Sequence, residues 1–343
     1  MKFQVLNPLA LPKWDDLLKL NPQATIFHSR AWAGVLSQSY GFTPAYFTRT
    51  GEDRLDALFP LMEVNSLLTG KRGICLPFTD ECQPLLTGET SFKELFAQVL
   101  DYAQAHRWQY IEWRSGRNRL AEATASLAFY HHSLDLRPGE KALFEQLGGS
   151  TRRAIRKAEQ SGLEIEITPS IDAVRAFYGL HCQTRKKHGL PPQPFLFFLQ
   201  IHQQTLSKGL GMVVQASYRS QPIAAAVFLN FGKQAVYKFG ASNNTFQHLR
   251  ANDLVMWSAI KHLITNGFER LSFGRTSLAN AGLRRFKLGW GSKEETIEYF
   301  KYDLKTAAFT VETDRATGWH NTLFRRLPIG LSRLAGKLLY RHI

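Results

Sequence analysis

Arg250-Ala251-Asn252-Asp253-Leu254-Val255-Met256-Trp257, then Leu271-Ser272-Phe273-Gly274-Arg275, then Gly282-Leu283-Arg284-Arg285-Phe286-Lys287-Leu288-Gly289-Trp290-Gly291: the reading of these three phrases decides the fold. In and after the first, Leu254, Trp257, Ile260, Leu263 and Ile264 recur at spacings of three and four, the period of a helix with an apolar face. The second phrase opens as a short strand. Just upstream, residues 223–229 and 235–239 read as two strands split by Phe231-Gly232-Lys233. The order is therefore strand, strand, helix, strand. The first half of the chain repeats it. Residues 56–64 and 73–78 are strand-like, Phe92, Leu95, Phe96, Val99, Leu100 and Ala103 carry the helical spacing, and Tyr110-Ile111-Glu112-Trp113 closes as a strand. Two copies of one unit predict two similar α/β lobes, joined near residues 134–147.

The 343 residues suffice for two cores. A hydrophobic content of 44% and an aromatic content of 12% exclude a disordered chain. The longest apolar run, 223–229, is too short to span a bilayer. Asn7, Pro8 and Pro12 interrupt the N-terminus, which does not read as a signal peptide. Cys75, Cys82 and Cys182 show neither disulfide nor metal-ligand spacing, and no metal is expected. The chain reads as cytoplasmic. Its formal charge of +15 suits phosphorylated substrates, nucleic acid or an anionic membrane. The charge is clustered: residues 270–293 hold six Lys/Arg and no acid, and so do residues 315–343.

Four groups of phrases, in chain order, resemble those of the FemAB-like family, whose members share a GNAT-type acyltransferase domain. They are Phe27-His28-Ser29-Arg30-Ala31-Trp32 with Tyr40-Gly41; Thr151-Arg152-Arg153-Ala154-Ile155-Arg156-Lys157-Ala158 with Ser161-Gly162; Phe177-Tyr178-Gly179-Leu180-His181 with Thr184-Arg185 and His188-Gly189-Leu190-Pro191; and Asn252-Asp253-Leu254 with Trp257, Phe273-Gly274-Arg275, Gly282 to Lys287 and Trp290-Gly291. The resemblance implies an α/β fold of two tandem GNAT-like lobes, with mixed central sheets flanked by helices and a C-terminal amphipathic helix. The expected divisions are 1–135, 136–305 (the acyltransferase lobe) and 306–343. The family implies an acyl or aminoacyl donor and an amine acceptor on a cell-envelope or exopolysaccharide sugar, peptide or lipid precursor. Acyl-CoA or aminoacyl-tRNA would be a co-substrate, with no tightly bound cofactor. The chain departs from the family in three ways. No Gln/Arg-x-x-Gly-x-Gly/Ala loop precedes Asn252, Ala251 stands where members often carry proline, and the long helical hairpin of some tRNA-using ligases is missing.

Acyl transfer to an amine requires donor phosphates to be held, a neutral attacking amine, and an oxyanion to be stabilised. A helix N-terminus suits phosphates, so Arg250, Asn252 and Asp253 are candidate donor contacts, with Asn252 as the expected cap. Gly274 permits close approach and Arg275 suits a phosphate. In the peptidyl ligases of the family a matching lysine steadies the oxyanion, which gives Lys287 that role. His181 is a candidate general base, sharing its helix with Tyr178 and Arg185; His188 is another. Arg152, Arg153, Arg156 and Lys157 fall on one side of a helix capped by Ser150 or Thr151 and suit an acceptor phosphate or sugar-nucleotide. Trp257 and Trp290 join the expected substrate contacts.

After Pro328, Leu331, Leu334, Ala335, Leu338 and Leu339 form an apolar stripe, and Arg333, Lys337 and Arg341 line up four apart. Such a helix either packs on the protein or touches the inner membrane face. A non-catalytic protein that binds RNA or an anionic membrane is the competing class. Against it, the basic residues gather at strand ends, as a cleft requires.

Overall fold

The computed structural model describes residues 3–51, 54–87, 91–115, 120, 123–314 and 319–342; of the residues singled out above, Arg315 and Ile343 lie outside them. In chain order the elements are β1 (Gln4–Leu6), α1 (Trp14–Lys19), α2 (Arg30–Tyr40), β2 (Thr43–Thr50), β3 (Leu55–Ser66), β4 (Gly70–Ile74), β5 (Leu85–Leu86), α3 (Phe92–Ala105) and β6 (Tyr110–Ser115). There follow β7 (Leu127–Asp135), α4 (Gly139–Gln146), α5 (Gly149–Glu159), β8 (Glu164–Thr168), α6 (Ile171–Lys187), α7 (Phe195–Gln204), β9 (Gly211–Tyr218), β10 (Gln221–Phe231) and β11 (Gln234–Ser242). The remainder is α8 (Ala251–Thr265), β12 (Arg270–Ser277), α9 (Ala281–Leu288), β13 (Lys293–Asp303), β14 (Ala308–Phe309), α10 (Trp319–Arg326) and α11 (Ile329–Leu339).

Two compact units emerge. One takes residues 1–129, 296–314 and 339–343, and the other 130–295 and 315–338. This division is less linear than the expected three blocks. The reason is β13, which from Glu298 to Asp303 pairs antiparallel with β6.

In the first unit the sheet order is β1-β2-β3-β4-β6-β13. β3 and β4 form an antiparallel hairpin, α3 follows, and β6 returns parallel to β4. Ser91 caps α3 by accepting the Lys93 N–H, and Phe92, Leu95, Phe96, Val99 and Ala103 face inward at helical spacing. Trp113 of β6 anchors that core, with ring contacts to Phe59, Phe92, Phe96 and Phe300.

The second unit repeats the plan. Its sheet order is β7-β12-β11-β10-β9-β8. β10 and β11 pair antiparallel, α8 follows, and β12 returns parallel to β11. The duplicated β-β-α-β motif is thus present in both halves. α8 is buried along Leu254, Val255, Trp257, Ile260 and Leu263, and its core includes Ile155 of α5, Phe228 of β10 and Leu271 of β12. α5 begins at Gly149 with Gly148 as its cap, before the expected Ser150 or Thr151.

α11 docks through small residues. Ser332 and Gly336 are buried, and a Cβ on Gly336 would lie 1.9 Å from the Pro192 carbonyl oxygen. Gly336→Ala should therefore destabilise the second unit by about 1–3 kcal/mol, measured by denaturant unfolding.

A candidate acyl-transfer site at the start of α8

The parallel ladder between β11 and β12 is short. It joins Gln234–Val236 to Arg270–Ser272, although β11 runs on to Ser242 and β12 to Ser277. Beyond that point β12 finds another partner. Lys287, on α9, is buried, and its Nζ donates to the carbonyls of Gly274 and Arg275, each at 2.9 Å. Consecutive carbonyls of a regular strand point to opposite sides. Gly274 has φ +66°, a backbone that glycine takes without strain, and it turns both oxygens towards one ammonium. A buried cation must be neutralised by polar groups, and two carbonyl dipoles serve here.

A cleft of about 200 Å³ opens at the N-terminus of α8. Ser242, Asn243, Phe246, Gln247, Arg250, Asn252, Asp253 and Phe286 are among its walls. Phe286 directly precedes Lys287, so α9 presents one side chain to the cleft and the next to β12. The residue that caps α8 is Arg250, not the expected Asn252. Arg250 lies in the left-handed region at φ +59°, and no side chain caps the helix. Asn252 stands one residue inside the helix, where its Nδ2 donates to Ser242 Oγ at 3.0 Å. A 3-10 turn, Asn244–Leu249, fills the place where the glycine-rich loop was absent, and Arg250 takes the backbone shape that such a glycine would have supplied. Exposed Arg250 and the first N–H groups of α8 thus meet at one wall, where dipole and charge both favour an anion. Asp253 lies half-buried beside them, its carboxyl pushed up by burial and drawn back by Arg250.

Sequence reasoning missed a network beside Lys287. His132 of β7 is fully buried and its Nε2 meets Glu294 Oε2 at 2.9 Å. Glu294 also takes both arms of Arg284, at 2.8 and 2.7 Å. Arg284 in turn lies 4.2 Å from the Tyr130 ring centroid. Arg284 holds the Glu294 carboxyl below its ordinary range, and burial with the nearby Lys287 charge holds His132 down. Glu294 is therefore a carboxylate and His132 a neutral donor through Nε2. The three tie α9 to β7 and β13. No sequence signal connected residues so far apart.

Other expected site residues are placed elsewhere. His181 is buried among Phe177, Phe198 and Phe239, with Nε2 against Gln193 Oε1 at 2.8 Å. Burial first, and Arg185 second, push it down to about 3. It is a core histidine and does not reach the cleft. Tyr178 packs on Phe195 and Phe198, with Arg333 of α11 over its ring, and burial pushes its hydroxyl up to about 12. Neither residue lines the cleft. Arg185 Nε donates to the Pro191 carbonyl, and the exposed His188 gives its carbonyl to Asn321, so both brace the loop after α6. α6 nonetheless touches the cleft rim. Thr184 exchanges hydrogen bonds with the Ser242 backbone, and Lys187 Nζ reaches Asn244 Oδ1 at 2.7 Å.

Trp290 is core, and Trp257 is 3% exposed against Phe144. Trp257 backs a separate open cleft of about 550 Å³ that Arg156 also lines, with Arg156 over the Phe144 ring. On α5, Arg153, Arg156 and Lys157 are exposed and Arg152 half-buried, over an inward Ile155 and Ala158. Among the described residues no group of three or more His, Cys, Asp or Glu is placed to hold a metal, and no helix is long and apolar enough to cross a membrane.

Residues 149–301 match the family model of the acetyltransferase (GNAT) domain. No curated protein sequence matches significantly. Among solved structures, FemX is similar over 87% of this chain and 97% of its own, with TM-score 0.68 and 12% identity. A tandem GNAT protein from the clavulanic acid biosynthesis pathway is similar over 88% and 98%, with TM-score 0.56 and 12% identity. The C-terminal domain of a putative lysylphosphatidylglycerol synthetase from Agrobacterium fabrum is similar over 85% and 90%, with TM-score 0.57 and 14% identity. These identities speak for the fold. Residues 149–301 thus form a GNAT acyltransferase domain, and the chain shares the fold of these structures.

His181 gives a pH test. Unfolded, a histidine titrates near 6.5, and here it titrates near 3. Between those values the unfolded chain binds a proton that the folded chain refuses, so stability falls as pH drops, by up to about 1.4 kcal/mol per unit. His181→Gln should flatten that slope in denaturant titrations at successive pH values.

Proposed function

We propose that this chain transfers the acyl group of a coenzyme A thioester to an amine of a cell-envelope or exopolysaccharide precursor. The observation that carries the reading is the cleft at the start of α8, where exposed Arg250 and a helix N-terminus without a side-chain cap face Phe286, the neighbour of Lys287 on α9. The donor's phosphates sit on that N-terminus. β11 and β12 part above it, and the amide-rich pantetheine arm runs along their unladdered edges. The thioester carbonyl then lies towards Gly274 and Arg275. Lys287 supplies the positive charge behind that strand end, where the oxyanion develops, and fixes the backbone to which the carbonyl is presented. No histidine of the cleft serves as a base, and the acceptor amine loses its proton to solvent.

Aminoacyl-tRNA is the second reading of the donor. The charge of +15, the basic face of α5 and the fold shared with FemX and with a putative lysylphosphatidylglycerol synthetase favour it. Thermal shifts with coenzyme A thioesters, UDP-sugars and bulk tRNA separate the readings. A ligand at one hundred times its Kd adds about 2.7 kcal/mol of stability. Stabilisation by tRNA alone would overturn the thioester.

Arg250→Gly keeps the left-handed backbone and removes only the charge. The donor KM should rise about 10-fold, as loss of a charge-assisted contact implies, with a thermal midpoint no lower than that of the parent. Lys287→Met should lower kcat about 100-fold or more, with a smaller change in KM. Unchanged turnover would remove Lys287 from the mechanism.

A further inference from the structure

α11 packs with its faces inverted. An amphipathic helix ordinarily turns its apolar stripe to the core. Here the small side, Ser332 and Gly336, goes inward, and the closeness of Pro192 to Gly336 leaves no room for a larger residue. Leu331, Leu334 and Leu338 are left outside, at 54%, 55% and 58% exposure. Spaced by three and four, they form one stripe about 10 Å long. Arg333 and Lys337, four apart and exposed, run beside it. The preceding helix ends on Arg325 and Arg326, also exposed. Residues 315–343 contain six Lys/Arg and no acid.

Folding gains little from these leucines, since half of each remains in water. The charge pattern selects the occupant. Two copies meeting across a two-fold axis would place Arg333 and Lys337 against themselves with no acid to offset them. A single-signed basic line beside a convex leucine stripe suits a fluid surface that is anionic at its boundary and apolar beneath. We infer that α11 is a docking surface for an anionic lipid bilayer. Leu331, Leu334 and Leu338 enter the headgroup–acyl boundary, and Arg333, Lys337 and the end of α10 meet lipid phosphates. This reading does not rest on the choice of donor.

Co-sedimentation of the full chain with vesicles tests this. One set is phosphatidylcholine alone, and the other mixes phosphatidylcholine with phosphatidylglycerol. Binding is expected only to the mixed vesicles and should weaken with salt. Leu331→Ser/Leu334→Ser/Leu338→Ser should reduce the partition coefficient at least about 10-fold, with the chain still folded at the assay temperature by circular dichroism. Arg333→Gln/Lys337→Gln should reduce it about 30-fold, at about 1 kcal/mol per charge. Failure of the parent chain to bind mixed vesicles would overturn the inference, as would equal binding by the serine variant. A dimer in light scattering that the serine variant dissolves would assign the stripe to a second copy instead.

Discussion

The second lobe depends on one ammonium group. Lys287 joins β12 to α9 by holding the carbonyls of Gly274 and Arg275 where the ladder to β11 has ended. Removing that donor takes a charge-assisted bond from each of two carbonyls at the strand end, and each such bond contributes about 1.5–3 kcal/mol. Gly274, at φ +66°, takes without strain the backbone that turns both oxygens the same way. Arg284, Glu294 and His132 tie α9 to β13 and β7 as well. Phe286, fixed between these two attachments, closes one wall of the cleft at α8. Strand, helix and cleft wall share a single charged hub.

The two lobes share a plan and differ where the chemistry falls. In each, a hairpin leads to a helix and then to a strand that returns parallel. In the first lobe a serine hydroxyl occupies the helix N-terminus, since Ser91 accepts the Lys93 N–H. In the second the equivalent position belongs to Arg250, whose side chain takes no part in capping. A capped helix end has already committed an N–H group that an anion would need. Duplication thus supplies two frames that differ in the residue type at the helix entrance.

Local periodicity carried most of the fold. The leucine and tryptophan spacing of α8, the paired strands before it and the echo around Phe92 all depend on neighbours within a few turns, and they are legible for that reason. Site details depended on long-range packing and were less legible. His181 read as a base from its residue type, yet three phenylalanines from separate elements enclose it. Trp257 and Trp290 read as substrate platforms and are core. The bond between His132 and Glu294 joins residues 162 positions apart, beyond any motif. The left-handed Arg250 left no trace either, because arginine does not announce that conformation as glycine does. In α11 the stripe was legible, but its direction was set by Pro192, far away in the sequence.

Lys287 is also an amine inside an enzyme that acylates amines. An exposed lysine beside an activated acyl donor is a competing acceptor, and each turnover would risk consuming it. Two carbonyl bonds hold the Lys287 nitrogen against β12. Burial takes it out of reach of anything dissolved in the solvent. The same contacts that hold the strand thus keep this amine from competing as an acceptor.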